Sequence, residues 1–157
     1  MPELLIVEDD SNKCNQLREW LHSKYPSFGI TERKSYQSGL KEIVDSKPDL
    51  VLLDMSMPTY DITPQDKGGM ARAYAGRDIL DELVRRKLPA SVIVVTQYET
   101  FGEGDDKKSL SRLTEELSVS FEEIYLGTVY YHPGQSDWQS QLGSIIQSFL
   151  GGTLEDA

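Results

Sequence analysis

Three acids and one hydroxyl stand where apolar runs break off. Glu8 and Asp9 follow "LLIV" (4–7), Asp54 follows "LVLL" (50–53), and Thr96 follows "SVIVV" (91–95). A carboxylate at the point where a core strand leaves the core is expensive unless a metal, a donor or water compensates it. If the three runs are neighbouring strands, the acids converge, and like charges a few ångström apart recruit a cation. All-oxygen ligands with no His or Cys among them favour Mg2+, which keeps several waters and takes only a few carboxylates. An aspartate beside such an ion is a workable nucleophile toward phosphorus, forming an acyl phosphate. The Thr96 hydroxyl would then be placed to hydrogen-bond a phosphoryl oxygen. Taken singly, each acid reads as a helix cap or a loop acid; taken together at strand ends, they read as a metal or phosphoryl pocket.

The elements that must position these residues follow from the apolar pattern. "LLIV", "FGITER" (28–33), "LVLL", "SVIVV" and "IYLGTVYY" (124–131) read as strands. Between them run amphipathic stretches: Cys14, Leu17 and Leu21 beside Trp20, with Asp10 or Ser11 as N-cap; Leu40, Ile43 and Val44; Ile79, Leu80, Leu83 and Val84; "SLSRLTEELS"; and Trp138, Leu142, Ile145, Ile146 and Phe149. Strands apolar throughout, alternating with amphipathic helices, predict a parallel sheet covered on both faces. The expected fold is α/β: a flavodoxin-like, doubly wound five-stranded sheet of order 2-1-3-4-5 with five helices, whose strand ends open into one crevice. It spans residues 1–150, with 151–157 as a frayed tail. Residues 59–75 form a loop too long for an ordinary connection, with a short helical turn expected over 69–74. Cys14, Trp20 and Trp138 read as packing residues, and the acidic run 99–106 as a solvated loop.

The 157 residues suit one domain, and 26 acidic against 16 basic side chains give a net charge of −10. Such a surface repels nucleic acid, and no run approaches the roughly 20 apolar residues of a membrane span. No secretory signal is visible, and a single cysteine excludes an internal disulfide, so the expected location is cytoplasmic.

"LLIVEDD" (4–10), "LVLLDMSMP" (50–58) and "VIVVTQY" (92–98), in this order and spacing, resemble the receiver domain of two-component response regulators. The resemblance covers most of the chain apart from the 59–75 insertion. It implies that Glu8 and Asp9 bind Mg2+ with Asp54, that Asp54 is the phosphoacceptor, and that Ser56 lends its backbone carbonyl to the metal. It also implies that Thr96 is the switch hydroxyl, Pro58 the proline of the loop after the acceptor, and Tyr130 or Tyr131 a rotameric switch. Partners would be a histidine kinase or phosphotransfer protein and an unknown downstream protein, with a homodimer compatible and no nucleic acid or membrane. Output would be protein–protein contact through the face of helix four, strand five and helix five.

One family feature is missing. Receivers carry a lysine after strand five, and this chain has none beyond Lys108. Keeping the following proline puts His132 there; an alternative register puts Thr128 there. A histidine is shorter and less charged than lysine, which would slow phosphotransfer or make it pH-dependent. The second reading is therefore an unphosphorylated pseudo-receiver acting as a docking module. A haloacid-dehalogenase-type hydrolase is disfavoured, because Ser56 stands where its second aspartate belongs.

Overall fold

Side chains alternate across a strand, so a run of apolar residues must be covered twice. That is what the computed structural model shows; it describes residues 2–156 except 66, 70 and 103, with backbone only at 106 and 152–156. The strands are β1 (Glu3–Val7), β2 (Gly29–Arg33), β3 (Leu50–Leu53), β4 (Ser91–Thr96) and β5 (Tyr125–Tyr130). They form one parallel sheet of order β2-β1-β3-β4-β5. Helices α1 (Ser11–Lys24), α2 (Tyr36–Ser46), α3 (Ala75–Arg85), α4 (Leu110–Ser120) and α5 (Asp137–Asp156) alternate with them.

Leu5, Val7, Val51, Leu53, Val92 and Val94 face a core closed by α2, α3 and α4; Leu4, Ile6, Leu50, Leu52, Ile93 and Val95 face one closed by α1 and α5. Burying each such side chain contributes roughly 1.5–3 kcal/mol. The register decides the position of the site. Val7 pairs with Leu53 and Leu53 with Val94, so Glu8, Asp54 and Thr96 emerge within a residue or two of one another. The flavodoxin-like order expected from the pattern is thus the one observed.

Three local expectations change. Val84 is 53% exposed, because the buried stripe of α3 is Ala75, Gly76, Ile79, Leu80 and Leu83. Residues 71–72 form no helical turn: Met57–Pro58 and Ala71–Arg72 pair antiparallel, and Gly68 and Gly69 adopt the positive φ that turns the chain back. Asp66 and Met70 of this loop lie outside the described residues, as does Glu103 of the acidic run. The loop rests on α2, through the Gln37 N–H donated to the Thr59 carbonyl at 3.0 Å and the Ser38 hydroxyl donated to Asp61 at 2.8 Å. Within the acidic run, expected as a solvated loop, Thr100–Phe101 pair antiparallel with Lys108–Ser109 and Phe101 is buried; at the other end of the chain α5 runs to Asp156, and Ala157 is not described.

Candidate functional site

The three consecutive acids after β1 divide their work. Asp10 caps α1, its Oδ1 accepting from the N–H groups of Asn12 and Lys13 at 3.0 and 3.1 Å. Glu8 is 2% exposed and accepts the Asp10 N–H at 3.0 Å, while Asp9 is exposed. Asp54, 3% exposed, accepts the N–H of Met55 at 2.7 Å. One carboxylate oxygen each from Glu8, Asp9 and Asp54 lies within 4.8 Å of the others. This hard, all-oxygen donor set has the chemistry that would hold Mg2+. The carbonyl of half-buried Ser56 accepts no hydrogen bond from a described residue.

The backbone around Asp54 is clamped by α3. The Gly76 N–H donates to the Met55 carbonyl at 2.9 Å, and a β-carbon on Gly76 would lie 2.7 Å from the Asp54 carbonyl oxygen. Only glycine lets the helix start so close.

Lys13 is the residue the sequence reading missed. It lies in the first turn of α1, is 1% exposed, and its ammonium sits 2.5 Å from Glu8 Oε2 and 3.2 Å from Asp54 Oδ2. It also donates to the Val95 carbonyl at 2.7 Å, which occupies the last of its three N–H groups. The converging acids, expected to recruit a metal cation, already have an ammonium among them. The available signal was spacing: Lys13, Leu17 and Leu21 recur every four residues on the buried stripe.

Electrostatics follow from this burial. Desolvation pushes Glu8 up to about 8, outweighing the pull of Lys13, and the Asp54 charge adds to the rise. Burial likewise raises Asp9. Burial works to lower Lys13, but the carboxylates of Asp54 and Glu8 hold it above its ordinary value.

The remaining candidates lie around this cluster. Thr96 is fully buried; its hydroxyl accepts from the Tyr98 N–H at 3.2 Å, and its carbonyl from the Tyr131 N–H at 2.7 Å. Tyr131 is buried against Trp138, ring centroids 5.4 Å apart, whereas Tyr130 is half-buried. His132 is exposed in the loop after β5, and its side chain makes no hydrogen bond or ion pair with a described residue. Thr128 lies inside β5, its hydroxyl bonded to that of Tyr125. The basic group that touches Asp54 is therefore Lys13, from the other side of the sheet order.

No protein-family model matches the chain. It is 32% identical over 142 residues to the Detocs response regulatory protein DtcB of Enterobacter cloacae, covering 89% of this chain and 95% of that protein. It is 31% identical over 140 residues to the uncharacterized protein y4jR of Sinorhizobium fredii, covering 88% and 92%. Among solved structures, response regulator protein TrrA of Thermotoga maritima, in complex with Mg2+-BeF, superposes with a TM-score of 0.60 at 21% identity, covering 92% of this chain and 99% of that one. With the sheet order, the strand-end acids and this kinship agreeing, the chain belongs to the receiver family of two-component response regulators.

Proposed function

We propose that Asp54 accepts a phosphoryl group from a histidine kinase or a phosphotransfer protein, and that the phosphorylated chain signals by contact with another protein. The phosphorus–nitrogen bond of the donor breaks, an Asp54 oxygen takes the phosphorus, and the electron pair returns to the donor imidazole. Glu8, Asp9, Asp54 and the Ser56 carbonyl would hold Mg2+, which when bound screens the charge of the transferring oxygens. Glu8 and Asp54 directly follow the ends of β1 and β3, and Thr96 ends the adjacent strand, where its hydroxyl would donate to a phosphoryl oxygen. The added charge of about −1.5 to −2 would act on Thr96 and on the face of α4, β5 and α5. We read residues 1–150 as one such receiver unit, with water as the only other acceptor of its phosphoryl group.

The observation that supports this most is a nearly buried Asp54 sharing one cluster with Glu8 and Asp9. The experiment is incubation with acetyl phosphate and Mg2+, followed by intact mass. The expected result is a gain of one phosphoryl group, abolished in Asp54→Ala. One observation favours the docking-module reading instead: Lys13 already compensates the acids, so the cluster can stand as an ion network. Indifference to both acetyl phosphate and beryllofluoride would decide for it.

A further inference from the structure

Receivers place a lysine after their fifth strand, and the residue in that loop here, His132, is exposed and engages no described side chain. The cluster nevertheless contains an ammonium. We propose that Lys13, delivered from the first turn of α1, is the cation that steadies the Asp54 carboxylate and the incoming phosphoryl group. This rests on the phosphoacceptor reading above.

The geometry carries the assignment. A lysine stripped of water is retained only when its charge is matched and its hydrogens are bonded. Two of the Lys13 contacts are short and go to groups other than the acceptor: Glu8 Oε2 at 2.5 Å and the Val95 carbonyl at 2.7 Å. The third, to Asp54 Oδ2 at 3.2 Å, is the loosest. The ammonium is thus anchored by Glu8 and Val95 and presents its remaining hydrogen to the reacting carboxylate. The chain path differs from the family's, yet the charge arrives within 3.2 Å of the Asp54 carboxylate. Because Val95 precedes Thr96, the lysine also ties the acceptor to the end of β4.

With acetyl phosphate as donor, an Asp54 oxygen attacks the phosphorus, the phosphorus–oxygen bond to acetate breaks, and acetate leaves with the electron pair. Lys13 neutralises charge on the phosphoryl oxygens as this occurs. Lys13→Met keeps the length and apolar stem of the side chain and deletes the charge. Its initial rate of phosphorylation should fall about a hundredfold, while Mg2+ affinity, followed by isothermal titration calorimetry, should be unchanged or tighter. Wild-type rates in a folded Lys13→Met overturn the proposal and leave Asp54 as acceptor. A wild-type chain that takes no phosphoryl group overturns both. A parallel loss of rate and Mg2+ affinity marks Lys13 as structural only. If Lys13→Met does not fold, the unmutated protein still answers. Its Lys13 ammonium resonance should shift when beryllofluoride and Mg2+ are added together, and an unmoved resonance overturns the proposal.

Discussion

Lys13 and His132 exchange the parts their positions suggest. The histidine occupies the loop where the family keeps its lysine, but exposure leaves it solvated, while the lysine on a neighbouring helix is 1% exposed and triply bonded. His132→Ala should therefore change the rate of Asp54 phosphorylation by less than about twofold, in keeping with the small effects of exposed substitutions. A pH profile that loses its inflection in this variant would show that the imidazole takes part after all. Cys14 is the other group whose behaviour follows from its surroundings. Burial pushes its thiol up to about 12, helped by the bond it donates to Glu32 at 3.2 Å. Reaction needs the thiolate, so iodoacetamide at pH 8 should modify the native chain about a thousandfold more slowly than an ordinary thiol. The rate should climb with pH toward 12 and become ordinary in urea.

At the level of elements, the close start of α3 clamps the loop that carries Asp54. Gly76→Ala forces a β-carbon against the Asp54 carbonyl, and either the helix or the strand end must shift. We expect a loss of about 1–3 kcal/mol in urea unfolding and slower phosphorylation, since the carboxylate moves with its backbone; wild-type stability would mean that α3 yields freely. Most of this scaffold was readable from sequence. Strands buried on both faces leave uninterrupted apolar runs, and their ends place Glu8, Asp54 and Thr96 without further information. What was not readable depends on contacts between distant segments. Lys13 is flanked by Ser11, Asn12 and Asn15 and looks like part of a solvated first turn until β3 and β4 are set beside it. Val84 fits the helical spacing of its neighbours but lies at the rim of the stripe. The pairing of 57–58 with 71–72 has no periodicity to announce it; among the described residues only Gly68-Gly69 marks the reversal.

At the scale of the whole molecule, the net charge of −10 makes the treatment of the acidic end a condition for folding as well as for chemistry. Removing one partner of a buried ion pair costs about 3–5 kcal/mol, so Lys13→Met should unfold at markedly lower urea than wild type. Mg2+ should recover part of the loss; no difference between the two chains would show that the pair is energetically idle. For the wild type, Mg2+ at a concentration equal to its dissociation constant adds only about 0.4 kcal/mol. Melting should therefore be nearly the same in EDTA as in dilute Mg2+, and a large drop under chelation would mean that the acids depend on the metal.

The ammonium on α1 has one more consequence. An acidic cavity that carries its own resident countercharge does not need to wait for a mineral ion to be assembled. A newly made chain would then reach its final shape whatever the ionic supply around it, and, on the function proposed above, a divalent metal would govern only when Asp54 reacts.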